Sequence, residues 1–193
     1  MTGQRVLAVG AHPDDVEIYC LGTLLRLQQL GWQVGWVVAT DGQAGLPAGA
    51  APGLRRAEAL AAGALVGVVP TLLGLQDGRL LDGPAETAAL RAAVDLFAPT
   101  LIIAPSPNDY HPDHRALSRL AQAVCPLGTA MLLTDTMMGV NFLPEITVDI
   151  TPTYERKMAC LQAHGSQVSD IALAALGTWA SFRGLQQARR GMA

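Results

Sequence analysis

Two short stretches carry most of this chain's capacity for chemistry. The first is Ala11-His12-Pro13-Asp14-Asp15-Val16-Glu17, which puts one imidazole and three carboxylates into six residues. Carboxylates this close repel one another, and burying them is costly. A bound cation resolves both problems. His12 and Asp15 can converge on one ion, with Pro13 stiffening the turn between them. Asp14 is then left over, beside the ion but not on it. The second stretch is Asp109-Tyr110-His111-Pro112-Asp113-His114, with two imidazoles and two carboxylates. One histidine from it would complete a His/Asp/His set. Three protein ligands and an open position for water describe a catalytic zinc site, whereas a structural site wants four ligands. Either stretch alone can be plain turn chemistry, because Pro and Asp favour turns and Asp caps helices. Together they hold three of the four histidines in the chain, and that pairing favours the metal.

The surrounding elements decide whether the two stretches can meet. Short apolar runs at 5–10, 33–39, 66–73, 100–104, 130–134 and 145–150 predict strands buried on both faces. Helical periodicity predicts helices over about 17–30, 84–97, 113–124, 152–163 and 169–182. Gly31 suits the stop of the first, and Pro84 and Pro99 bracket the second. Alternating strands and helices imply an α/β fold: a mostly parallel sheet, right-handed crossovers and helices on both faces. In such sheets ligands bind beyond the carboxyl ends of the strands. The first stretch follows the first strand, and the second follows the strand at 100–104. Residues 42–53 are too broken by Gly and Pro for a regular element, and read as a surface loop or as a lid.

Composition narrows the function classes. The chain has 193 residues, enough for one α/β domain. Its 13 Lys and Arg against 16 Asp and Glu give a net charge of −3. Without any basic run, a nucleic-acid partner is not expected. No apolar run approaches the roughly 18–20 residues of a membrane span. No basic leader with an apolar core opens the chain, so a cytoplasmic location is expected. Cys20, Cys125 and Cys160 are far apart and lack C-x-x-C spacing. They read as reduced thiols, not as a disulfide frame or a zinc site. The fingerprints G-x-G-x-x-G, G-x-x-x-x-G-K-[ST], G-x-S-x-G and H-E-x-x-H are absent.

These residues resemble a known family, the LmbE-like or PIG-L zinc-dependent N-acetylglucosaminyl deacetylases. Its opening A-H-P-D-D-V-E motif corresponds to Ala11–Glu17, and its H-P-D-H motif to His111–His114. Thr40-Asp41-Gly42 is similar to its T-x-G, and Arg55 with Glu58 to its R-x-x-E. Leu73-Gly74-Leu75-Gln76-Asp77-Gly78 is similar to its L-G-x-x-D-G. Lys157, His164, Ser166 and Gln167 resemble a late K…A-H-x-S-Q pattern. The resemblance implies a Rossmann-like three-layer sandwich forming one deacetylase domain over 1–193, short at its C-terminus relative to typical members. It implies zinc on His12, Asp15 and His114. Asp14 would be the general base, and His111 would polarise or protonate the tetrahedral intermediate. Asp113 would hydrogen-bond an imidazole and tune it. Arg55 and Asp77 would hold the substrate, a small amino-sugar conjugate losing its acetyl group. A homo-oligomer is compatible with this reading. The alternative is a member of the same fold that acts on another small amide or binds a ligand without catalysis.

Two departures from the family pattern stand near the motifs. Ile18-Tyr19-Cys20-Leu21-Gly22-Thr23 replaces a Gly-rich turn, with Tyr19 and Leu21 in place of small residues. Tyr110 stands where many relatives have Arg, which removes a positive charge from the site mouth. His164 reads as a helix C-terminal cap. Trp32 and Trp36 read as packing, Trp179 and Phe182 as core or subunit contacts, and Cys20 as a small buried hydrophobe.

Overall fold

The strand Arg5–Gly10, β1, is the middle of the sheet. Its side chains alternate, with Val6 and Ala8 in one hydrophobic core and Leu7 and Val9 in another. A strand buried on both faces needs helices on both, which is why its apolar run is continuous. The computed structural model describes residues 3–190. In chain order the helices are α1 (Asp15–Tyr19), α2 (Leu21–Gln29), α3 (Leu54–Val66), α4 (Pro84–Phe97), α5 (Pro112–Val124), α6 (Tyr154–Gln162) and α7 (Asp170–Arg190). The remaining strands are β2 (Gln33–Thr40), β3 (Thr71–Leu75), β4 (Leu101–Ala104) and β5 (Ala130–Leu133). Spatial order is β3-β2-β1-β4-β5, and every pairing is parallel. The α/β expectation of a three-layer sandwich is met.

The topology fixes both the site and a gap. The chain runs from β1 outward to β3, placing α1, α2 and α3 on the first face. It then crosses back to β4 and β5, placing α4 and α5 on the second face. The direction reverses between β1 and β4, so the loops after these two strands splay apart and leave a crevice. The same reversal leaves the first face of β4 and β5 without a crossover helix. α6 packs mainly on α3, and residues of α7 and of the segment 141–151 line the space left over β5.

Several local expectations change. The helix expected over 17–30 breaks at Cys20, whose φ of −141° and ψ of −1° end α1 and begin α2. The strand expected over 66–73 begins only at Thr71, because Val66 still belongs to α3. The alanine-rich sequence of α3 hid its period. Residues 145–150 form no strand, although Ile146, Val148 and Ile150 alternate. The sheet ends at β5. Ile146 is 63% and Val148 38% exposed, whereas Ile150 packs on α2 at Gly22. A Cβ at Gly22 would lie 2.8 Å from the Ile150 side chain, so only glycine fits there. α7 continues to Arg190, beyond the expected 182. Residues 42–53 hold one short 3₁₀ turn, Gln43–Gly45. Its Ala44 N–H donates to Asp77 Oδ2 at 2.9 Å. Among the described residues, no helix is long and apolar enough to cross a membrane.

Candidate metal centre

The two stretches meet at the β1/β4 reversal. Three side-chain atoms form a triangle there. Asp15 Oδ2 lies 3.4 Å from His12 Nδ1 and 3.1 Å from His114 Nε2, and His114 Nε2 lies 3.3 Å from His12 Nδ1. Around an ion with bonds of about 2.0–2.1 Å, the edge of a ligand tetrahedron is about 3.3 Å. The donor set of two imidazoles and one carboxylate therefore fits a divalent ion in size and in chemistry. Two wider groups share His12: His12 with His111 and His114, and His12 with Asp77 and Asp113. The first places His111 at the edge of the same centre.

The outer nitrogens of the two rings are tied to carboxylates. His12 Nε2 meets Asp77 Oδ1 at 3.1 Å and Asp113 Oδ2 at 3.3 Å. His114 Nδ1 meets Asp109 Oδ2 at 3.1 Å. These contacts place the ring protons on the outer nitrogens and leave the inner ones with lone pairs for a metal. Asp113 also accepts N–H bonds from Gly78 at 2.8 Å and Leu80 at 3.2 Å, so it braces the 78–80 turn as well. Asp109 accepts from His111 N–H at 2.8 Å. This orienting role of Asp109 was missing from the sequence reading, although the residue stood in the motif. An Asp two residues before an accepted N–H is a common turn, and nothing local marks it as a partner of His114.

The adjacent carboxylates Asp14 and Asp15 point to different partners. The Asp15 carboxylate folds back to accept His12 N–H at 2.8 Å and reaches the triangle. Asp14 has φ of 125°, a region an L side chain adopts only under strain of about 1–3 kcal/mol. It turns away to meet Arg55 Nη2 at 3.0 Å from its Oδ2. Arg55 is buried and also donates to the carbonyls of Pro13 and Gly42. Gly42, at φ of 68°, permits this approach, because a Cβ there would lie 2.8 Å from both Arg55 and Pro13. Arg55 and Asp77, the residues expected to hold the substrate, are thus also engaged inside the protein.

Charge follows from these distances. Burial disfavours the charged form of His12, but the Asp15 and Asp77 carboxylates outweigh it and raise the imidazole to about 11. Burial likewise opposes His114, which Asp15 and Asp109 raise to about 10. Burial and Asp15 push Asp14 up to about 7, against the pull of Arg55. Burial and the charges on His12 and His114 hold His111 below its ordinary range. The carboxylates thus favour positive charge at the centre, which a divalent ion on the inner nitrogens would supply.

A further buried pair lies behind Asp14. His164 Nε2 meets Glu17 Oε1 at 2.9 Å, and both residues are fully buried. His164 therefore packs inside, where a helix cap was expected. Glu58 accepts both the backbone N–H and the hydroxyl of Ser166, at 2.7 and 2.6 Å, which ties α3 to this turn. Trp36 is buried in the core as expected, whereas Phe182 is 52% exposed.

Known proteins are similar to this chain in sequence and in fold. The chain is 28% identical to a probable N-acetyl-alpha-D-glucosaminyl L-malate deacetylase 2 from Bacillus cereus, covering 85% of this chain and 84% of that protein. Its structure superposes on a conserved protein of Thermus thermophilus with a TM-score of 0.82 at 28% identity, covering 94% and 89% of the two chains. It superposes on the N,N'-diacetylchitobiose deacetylase of Pyrococcus horikoshii with a TM-score of 0.81 at 28% identity, covering 96% and 80%. The family model described as PIG-L, GlcNAc-PI de-N-acetylase, matches residues 7–125, the span from β1 to the end of α5 that holds every residue of the triangle. The chain belongs to the PIG-L family of amide-hydrolysing enzymes.

Proposed function

We propose that this chain is a zinc-dependent N-deacetylase acting on a small N-acetylglucosaminyl-type conjugate, with residues 1–193 forming one catalytic domain. The observation that carries the reading is the triangle of His12, Asp15 and His114 with a fourth charged group, Asp14, held just outside it. The names of the relatives support the amino-sugar part.

His12 Nδ1, Asp15 Oδ2 and His114 Nε2 would hold the zinc, which supplies Lewis acidity toward the amide oxygen and lowers the pKa of a water to about 7. Asp14 is the general base. Arg55 engages its Oδ2, so the water's proton goes to the other carboxylate oxygen. His111 Nδ1 accepts the Asp113 N–H at 3.2 Å, which places the ring proton on Nε2. From there His111 donates a hydrogen bond to the developing oxyanion, while the proton taken up by Asp14 passes to the departing amine. Oxygen adds to the acetyl carbon, the C–N bond breaks, and acetate and the free amine leave. Asp113 and Asp77 act through His12, as Asp109 acts through His114. Arg55 orients Asp14, and the proposed contacts of Arg55 and Asp77 with sugar hydroxyls use what these bonds leave.

A substrate panel tests the reading. Zinc-loaded protein is given acetamido sugars, acetyl-lysine peptides and acyl-homoserine lactones. Hydrolysis of the acetamido sugars with the highest kcat/KM is expected. A preference for the peptides or the lactones overturns the amino-sugar assignment.

A further inference from the structure

A cavity of about 1160 Å³ contains none of the residues assigned to the metal centre. It occupies the part of the first face that the topology leaves without a crossover helix. Its floor is β5, through Met131 and Leu133, and its roof is α7, through Leu176 and Trp179. The segment 141–151 closes one side with Leu143 and Ile146. The cavity lining is apolar over most of its area; of its charged residues, Glu145, Asp149 and Glu155 are exposed to solvent, and the others are engaged. Arg183 pairs with Asp135 at 2.6 and 2.9 Å, and Lys157 Nζ donates to Ile18 O at 2.8 Å. The chamber therefore suits an apolar occupant.

One side chain stands between this chamber and the metal centre. Tyr19 ends α1, four residues after Asp15, and lines the cavity. Its ring meets His114 edge-on, with centroids 5.9 Å apart and planes at 88°. It meets Trp179 of the cavity roof in the same way, again at 5.9 Å and 88°. The ring is thus clamped between a proposed ligand of the ion and the far wall of the chamber. Both contacts are of the kind aromatic rings prefer, and each holds the ring in place.

We propose that Tyr19 is a specificity-determining residue. Its ring partitions the metal centre from the chamber beneath α7, and so excludes substrates that carry a long alkyl chain. The inference rests on the deacetylase reading for its reaction, but the partition itself is a matter of binding. The chain could belong to the N-acyl group or to the aglycone, and the two sources are separable.

The test uses the zinc-loaded full chain with Tyr19→Ala, Tyr19→Phe and Trp179→Ala. Calorimetry measures Kd for N-acetylglucosamine, N-octanoylglucosamine and octyl N-acetylglucosaminide, and kcat/KM is measured in parallel. Tyr19→Ala should favour at least one octyl probe over N-acetylglucosamine by about tenfold or more relative to wild type, the scale of an added apolar contact. A gain for N-octanoylglucosamine places the chain on the acyl side, and a gain for the octyl glycoside places it on the aglycone side. Tyr19→Phe keeps the ring and should keep the wild-type preference. Trp179→Ala frees the opposite side of the ring and should shift the preference in the same direction by less, which guards against a misfolded Tyr19→Ala. Unchanged preference in both alanine variants overturns the proposal, as does an equal shift in Tyr19→Phe. If no protein hydrolyses any acetamido sugar while Tyr19→Ala binds an octyl probe more tightly, the deacetylase reading fails and the partition stands. If hydrolysis proceeds without any shift, the reading stands and the partition fails.

Discussion

The metal centre and the chamber beneath α7 lie on either side of Tyr19, yet they are built in opposite ways. At the centre both ring nitrogens of His12 and of His114 have specific partners within the protein. His12 alone meets Asp15, Asp77, Asp113 and His114. In the chamber the walls are largely apolar, and α7 leaves Ile171, Phe182 and Leu185 exposed. The first region is held by direction and charge, the second chiefly by area. Substitutions at the centre should therefore change metal affinity and rate. Substitutions around the chamber should change stability or substrate choice.

Removal of the ion should have the largest effect. A chelator should abolish turnover, and added zinc should restore it; undiminished turnover in chelator contradicts the contrast at its root. Next come the carboxylates that orient the ligands. Asp113→Asn or Asp109→Asn should weaken metal binding by about 10–100-fold, read by competition with a chromogenic chelator. Affinity within about twofold of wild type would mean that these contacts do not shape the ligands.

Gly22→Ala tests the other region. The added methyl meets Ile150, so the fold should lose about 1–3 kcal/mol in denaturant unfolding while metal content stays at the wild-type level. A more stable protein would show that segment 141–151 yields freely. The smallest effect is a pH dependence at Lys157. Burial holds its ammonium down to about 8, against an ordinary 10.5. Between these values the unfolded chain binds the proton that the folded chain has lost, so this group's contribution to stability rises with pH across the window. Compared with Lys157→Met, wild type should gain melting temperature between about pH 8 and 10. A constant or shrinking difference rules out the buried ammonium as its source.

The same contrast explains what was legible in the sequence. Polar chemistry is local, so Ala11–Glu17 and Asp109–His114 announced the site, and strand periodicity placed both stretches at carboxyl ends. The β1/β4 adjacency that joins them comes from strand order, which residue patterns do not state. Asp109 escaped notice because its bond to His114 needs the helical turn of α5 to exist. His164 escaped because its partner Glu17 lies 147 residues away. The segment 145–150 had the alternation of a strand but no neighbour to pair with. The chamber had no signature at all, because a gap follows from the helix a topology omits.

The central claim is that Asp15 holds the metal while its neighbour Asp14 serves as the base. One experiment addresses it directly: zinc content and kcat measured side by side on Asp14→Asn and Asp15→Asn. Asp14→Asn should keep its zinc and lose about 10²–10⁴ in rate. Asp15→Asn should lose zinc first and regain part of its activity in excess metal. A metal-free Asp14→Asn beside a fully metallated Asp15→Asn would contradict the account.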